Sequence, residues 1–368
     1  MSHQISPSPR VRRSAFYNST VRDGVKSFST YNHMLIPISF GDPAAEYKRL
    51  TEGVAMWDVA VERQVELSGP DAGKLAQALC PRNLADMPIG MGWYVAICDH
   101  RGTIINDPIL LKLSETRYWF SIADSDLLLW ARAVAGERGY QVNVFEPDVS
   151  PLAVQGPMAE DVIADMFGDW VREIKHFEVR EVEDDIPMLI ARSGWSKQGG
   201  FEIYLMDHYR GDELWDRVCT AGEKYGIGPG APNSQERVES GLLSWGGDTD
   251  DETNPFEVRM TRFVDLDAPD DVIGIQALRR IKEEGPRRWQ LGIKLDVEDA
   301  LPPLDQWSEL RQGDLFVGHV TAHTFSPKLQ KNIGLCLVSR EVKSGDIVDV
   351  TLPTGQHCKG EMCKLPFV

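Results

Sequence analysis

The chain has 368 residues, 42% hydrophobic and 26% charged, with a formal net charge of −17 at pH 7. At roughly 100–200 residues per domain this length predicts two or three domains. The acidic balance speaks against nucleic acid or an anionic membrane as partner, so a polyanionic ligand needs local Lys or Arg, whereas a cationic substrate meets no long-range barrier.

The opening residues are basic and rich in Ser and Pro but have no apolar core, so they do not read as a secretory signal. Residues 1–15 read as an extended arm. No apolar run approaches the roughly 20 residues of a membrane helix. A cytoplasmic, soluble enzyme is the expectation. Asp42-Pro43 predicts a helix start, with Asp as N-cap and Pro in the first turn; Ala44, Tyr47, Leu50 and Val54 give its apolar face. Residues 63–67 alternate like a half-buried strand, and a helix bearing Leu75 and Leu79 follows. Residues 94–98 and 104–113 read as paired strands around the turn Asp99-His100-Arg101-Gly102. Residues 118–122 form a further strand, Asp124 caps a helix carrying Leu128, Ala131 and Val134, and residues 140–145 return as a strand. Helical patterns cover 159–167, 209–224 and 234–244. Beyond residue 286 only short strands are predicted (289–295, 315–321, 333–338, 347–351), which reads as a small β-barrel or jelly roll. Strands, helices and hairpins alternate without a regular βαβ rhythm, so the class is α+β.

No P-loop, strand–GxGxxG–helix, GxSxG or HExxH occurs, which lowers redox and hydrolytic chemistries. The six cysteines are scattered and without CxxC; Cys358 and Cys363 beside His357 are a weak zinc pattern, and reduced thiols are the plainer reading, with no metal expected. Three segments could carry chemistry. Asp107 lies between Asn106 and Pro108 at the edge of an apolar strand; alone it reads first as a turn residue and second as a functional carboxylate. In the segment 191–204, two strands flank a Gly-rich turn. Glu202 points away from Phe201 and Ile203, with Tyr204 on its own face. A strand carboxylate can accept two parallel N–H bonds from an amidine-like edge such as that of a pterin, although the plainer reading is a solvated Glu. Arg237 could serve a site or pair in solvent with Glu236 or Glu239.

Taken in order, these segments resemble the folate-binding glycine cleavage T-protein (aminomethyltransferase) superfamily along nearly the whole chain. The likeness runs through Met56-Trp-Asp-Val59, Thr103-Ile-Ile-Asn-Asp107, Leu152-Ala-Val-Gln-Gly-Pro157, the segment 191–204, Arg237-Val-Glu-Ser-Gly241, Ile273-Gly-Ile-Gln-Ala-Leu278 and Val320-Thr-Ala-His-Thr-Phe-Ser-Pro327. Within the superfamily the wording is most similar to the dimethylsulfoniopropionate demethylases, as in Tyr31-Asn-His-Met-Leu-Ile-Pro37 and Ser193-Gly-Trp-Ser-Lys-Gln-Gly199. It departs at Val258-Arg-Met-Thr-Arg262, where Arg259 and Arg262 replace a small, Gly-containing run.

The resemblance implies three domains around a central channel: residues 1–60 with 148–240, residues 61–147 with 241–286, and a C-terminal barrel, 287–368. It implies tetrahydrofolate as co-substrate and methyl transfer from a sulfonium donor to its N5. Asp107 is the implied catalytic residue. Glu202, Tyr204, Trp195, Tyr94 and Arg237 are the implied folate-binding set; Tyr31, Trp195 and Tyr204 are the aromatic candidates for the donor, with Lys328 and Lys331 for the folate tail. The alternatives are another one-carbon donor, as in an aminomethyltransferase, or a non-catalytic folate-binding protein. The partner is a small molecule, and the protein a monomer or homodimer.

Overall fold

The computed structural model describes residues 8–301 and 306–368. Residues 1–7 of the expected arm lie outside the described residues. The chain forms two compact units. One comprises residues up to Gly73, Met87–Trp93 and Ile109–Asn233; the other comprises Lys74–Asp86, Tyr94–Pro108 and everything from Ser234 onward. No helix among the described residues is long and apolar enough to cross a membrane.

The first unit is layered. Its central sheet has the order Val179–Glu181, Met188–Ala191, Gly200–Leu205, Ser150–Gln155, Ala55–Asp58, Gly228–Gly230. Period-2 alternation sends Met56, Leu152, Val154, Ile190, Phe201 and Ile203 to one face, where they pack with Val162, Leu214, Trp215 and Val218 of two helices, Ala159–Phe167 and Gly211–Gly222. The other face sends Leu189, Ala191 and Tyr204 against Leu111 and Trp119 of a five-stranded sheet. A helix layer on one side and a second sheet on the other therefore bury both faces of the strand Gly200–Leu205. Asp42 caps the helix Pro43–Glu52 as expected, its Oδ1 accepting the Ala45 N–H at 3.0 Å, although Ala44 is exposed and Tyr47 and Leu50 carry the buried face.

Several expected elements are corrected. The helix Leu127–Glu137 starts after Asp126, not Asp124. The Asp124 carboxylate instead accepts the backbone N–H of Asn32 at 2.6 Å. Asn32 and His33 both hold positive φ in the tight turn between the strands Ser27–Tyr31 and Met34–Ser39, so a backbone donor is freed there for a side chain to satisfy. The strand expected over 63–67 runs Gln64–Ser68 and is buried almost throughout, not half-buried, because it sits second in its sheet.

In the second unit the long strand expected over 104–113 stops at Ile104–Asn106, which pairs with Ile97–Cys98; Ile109–Ser114 restarts in the other unit. Pro108 has no N–H to give a ladder. The turn between those hairpin strands forms as read, with the Gly102 N–H on the Asp99 carbonyl at 3.0 Å. The helix Ser234–Ser240 ends earlier than expected because Gly241 takes φ 63° and the Leu242 N–H returns to the Arg237 carbonyl. The C-terminal part is a closed six-stranded barrel around Ile293, Leu310, Val320, Cys336, Val348, Val350 and Met362. Two of its strands, Ser308–Gln312 and His357–Cys363, escape the sequence pattern. Their inward positions include Ser308 and Gly360, which carry no hydrophobic signal, and a Cβ on Gly360 would stand 2.4 Å from Ile293.

Candidate functional site

Each unit holds a candidate acid with its own surroundings. In the first unit, Glu202 lies mid-strand between Ala153 and Ala191 and is 5% exposed, so the solvated reading is overturned. Ser193 Oγ donates to Glu202 Oε2 at 2.5 Å and Tyr204 Oη donates to the same oxygen at 2.9 Å. Among the described residues Oε1 accepts nothing. Burial pushes the Glu202 carboxyl above its ordinary value, and the two hydroxyls pull it part of the way back. Tyr204 is 1% exposed with its ring 6.2 Å from Trp119, and burial raises its phenol, which therefore stays protonated as a donor. A carboxylate anchored on one oxygen suits a ligand that presents N–H groups, because such donors would offset the desolvation that burial imposes.

The Gly-rich turn beside it is held from below by Gln155, a residue at 0% exposure. Gln155 Nε2 donates to the Ser193 carbonyl at 3.0 Å, and Ser196 Oγ donates to Gln155 Oε1 at 2.8 Å. Gly194, at φ 147°, leaves room for that carboxamide: a Cβ there would sit 2.1 Å from Gln155 Nε2. Trp195 follows it and is half-buried. Tyr31 packs against the cluster that contains Phe201 and Ile203, not the one that contains Tyr204.

In the second unit, Asp107 ends the short hairpin strand just before Pro108. Tyr94 Oη donates to its Oδ2 at 2.6 Å. The residue as a whole keeps some exposure while its carboxyl is enclosed. Burial, with a smaller push from the Asp248 charge, lifts that carboxyl to about 7 against the lowering effect of the Tyr94 bond. Asp248 is buried and receives Arg237 Nη1 at 2.5 Å, Thr321 Oγ1 at 2.8 Å and the Ser244 N–H at 2.9 Å. The expected solvent pairing of Arg237 with Glu236 or Glu239 is thus corrected. Glu236 accepts Ser240 Oγ and Glu239 accepts Ser326 Oγ, while Arg237 is 8% exposed and bound to Asp248. Lys328 lies 4.0 Å from Glu239, and Lys331 is exposed. All six cysteines are free thiols.

The structure therefore groups Glu202 with Tyr204, and Tyr94 with Asp107. Sequence reasoning missed Ser193, Gln155 and Asp248. Ser193 and Gln155 lie inside the quoted segments and Asp248 just beyond one, yet each matters through a partner distant in sequence, 38 residues away for Gln155 and Ser193 and 73 for Asp248 and Thr321.

Residues 16–268 match the GCVT N-terminal domain and residues 288–368 match the glycine cleavage T-protein C-terminal barrel domain. The chain is 42% identical to a dimethylsulfoniopropionate demethylase of Ruegeria pomeroyi, over 96% of each protein. It is 27% identical to an aminomethyltransferase of Thermoanaerobacter pseudethanolicus, over 86% of this chain and 87% of that one. The crystal structure of glycine cleavage system aminomethyltransferase T from Bartonella henselae superposes with a TM-score of 0.85 at 23% identity, over 97% of this chain and 98% of that one, and shares the fold.

Proposed function

The chain belongs to the glycine cleavage T-protein family, and on that premise we propose that it transfers a methyl group from the sulfonium of dimethylsulfoniopropionate to N5 of tetrahydrofolate. The products are methylmercaptopropionate and 5-methyltetrahydrofolate. A sulfonium methyl is already activated: the C–S bond breaks, its electron pair stays on sulfur as a neutral thioether leaves, and one proton is released. Tetrahydrofolate supplies the nucleophilic N5. The protein's task is alignment and exclusion of water.

The observation that carries this reading is the buried Glu202 carboxylate, fixed on one oxygen by Ser193 and Tyr204 and open on the other. Glu202 accepts the N–H edge of the pterin, with Tyr204 fixing its position. Asp107, oriented by Tyr94, stabilises positive charge at the reacting centre and need not act as a strong base. Its neighbour Asp248 is neutralised by Arg237, so Arg237 serves by keeping that second charge paired. Trp195 is half-buried beside the Gly-rich turn and its ring suits a sulfonium cation; Tyr31 is the further aromatic candidate. Work in the cytoplasm fits six free thiols, and a monomer or homodimer is proposed.

Incubation of the protein with tetrahydrofolate and dimethylsulfoniopropionate should yield 5-methyltetrahydrofolate, detected by mass spectrometry. Folate binding without that product sinks the donor assignment. Arg259 and Arg262 favour a second reading, another one-carbon donor, which a donor screen with the same folate readout decides.

A further inference from the structure

Three guanidinium groups gather around Phe263 and Tyr94. Arg262 lies 4.6 Å and Arg82 5.6 Å from the centre of the Phe263 ring, which meets Tyr94 edge-on at 4.9 Å. Arg259 is within electrostatic reach of both Arg262 and Tyr94. Burial holds its guanidinium below the ordinary value, Asp248 and Tyr94 push it back up, and Arg262 pushes it down. Burial likewise lowers Arg82, and Arg262 adds to that. In a chain of net charge −17 such a concentration of like charge is not dictated by composition. The nearby acid Asp248 is already bound to Arg237. Among the described residues Arg262 makes no hydrogen bond or ion pair.

A second observation is independent of charge. Arg259 stands at φ 64°, the left-handed region that favours glycine. Its guanidinium is nevertheless fixed, with Nε on Gln290 Oε1 at 2.9 Å and Nη2 on the Gly241 carbonyl. Because Arg can only donate, the Gln290 amide must turn its oxygen to Arg259. That leaves Gln290 Nε2, in a residue 5% exposed, as a buried donor without an acceptor. Anionic oxygens delivered here would satisfy the orphan donor and relieve the repulsion together.

We propose that Arg259, Arg262 and Gln290 form a receiving site for a carboxylate of the reactants, beside Tyr94, the residue that donates to Asp107. The site rests on the reading that methyl transfer occurs at Asp107. The carboxylate comes from the propionate of the donor or from the glutamyl tail of the folate, and the chemistry of recognition is the same.

Calorimetric titration of the full chain separates the two. The ligands are dimethylsulfoniopropionate against ethyldimethylsulfonium, which lacks the carboxylate, and tetrahydrofolate against 6-methyltetrahydropterin, which lacks the tail. The variants are Arg259→Gly, which suits φ 64° and so keeps the fold, and Arg262→Gln. Each should weaken the carboxylate-bearing member of one pair roughly tenfold or more and leave its truncated counterpart within about twofold. Loss confined to the sulfonium pair assigns the donor; loss confined to the folate pair assigns the tail. Variants that bind all four ligands like the wild type, or that weaken both members of a pair alike, overturn the site. If wild type makes 5-methyltetrahydrofolate from dimethylsulfoniopropionate while both variants bind unchanged, the site falls and the proposed function stands. If wild type turns over no dimethylsulfoniopropionate yet the folate pair shows the selective loss, the site stands and the donor falls. Wild type that binds none of the four overturns both.

Discussion

Glu202 and Asp107 are both enclosed acids, but their neighbours suit them to different tasks. Glu202 receives two neutral hydroxyls on one oxygen, an arrangement that fixes direction more than charge. Replacing it with Gln keeps an acceptor for Ser193 and Tyr204 but puts an amide N–H where the free oxygen was. Glu202→Gln should weaken tetrahydrofolate binding roughly tenfold to a hundredfold, at about 1.5–3 kcal/mol for hydrogen bonds to a charged group. It should leave the melting temperature equal or higher, since a desolvated charge is removed. A variant that binds folate like wild type by calorimetry would refute the role. Asp107, at about 7, is half ionised near neutral pH in the free protein. If its carboxylate is the active form, kcat/KM rises as pH increases from about 6 to 8. Asp107→Asn should be both much slower and flat over that range. The sequence period puts Glu202 and Tyr204 opposite Phe201 and Ile203, and the two clusters on either side of the strand agree. It could not show depth, because the burial comes from Trp119 and Leu111 on a separate sheet.

Elements show the same division between local and distant causes. Caps, helices and the Asp99–Gly102 turn depend on neighbours a few residues away and were legible. The start at Asp126 instead of Asp124 was not, because Asn32, 92 residues away, takes the Asp124 carboxylate. Barrel strands with Ser308 or Gly360 inward were invisible for a different reason: closure of the barrel, not side-chain hydrophobicity, specifies them. The turn 193–200 matters most for function. Gln155 ties it to the strand Ser150–Gln155 by reaching under Gly194. Gln155→Ala removes both bonds and leaves the Ser193 carbonyl without this donor, a loss of about 1–3 kcal/mol of stability. Because Ser193 also anchors Glu202, folate affinity should fall as well. Gly194→Ala forces a Cβ against the same amide and should cost at least as much, about 2 kcal/mol or more. Denaturant unfolding paired with folate titration checks both. An unfolding midpoint and folate affinity unchanged in Gln155→Ala would show that the turn needs no such support.

At the scale of the whole molecule, acidity acts on stability as well as on partner choice. Asp58 accepts Ser14 Oγ and the Ala60 N–H, yet burial still lifts it from 3.8 to about 6, and Asp107 is lifted to about 7. Folded values above unfolded ones mean that the native state binds more protons between about pH 4 and 7. The stability these groups contribute is full below their unfolded value and is lost as pH rises through the folded one. For Asp58 alone the difference is on the order of 3 kcal/mol, at about 1.4 kcal/mol for each pH unit. The net charge of −17 works in the same direction, since self-repulsion grows as carboxyls ionise. Asp250 opposes it: its Arg288 hydrogen bond holds it at about 2, so its contribution is present above 3.8 and is lost only as pH falls through about 2. The two sets of groups leave a stability maximum near pH 4–6 instead of at neutrality. Scanning calorimetry should give a higher melting temperature at pH 5.5 than at pH 8. Asp58→Asn should narrow that gap by stabilising the protein at pH 8. About 0.5 M salt should raise the melting temperature more at pH 8 than at pH 5.5, because it screens the repulsion but does not reach the enclosed carboxyls. A melting temperature that is flat or rises from pH 5.5 to 8 would mean that paired surface acids, not Asp58 and Asp107, govern how this fold responds to protons.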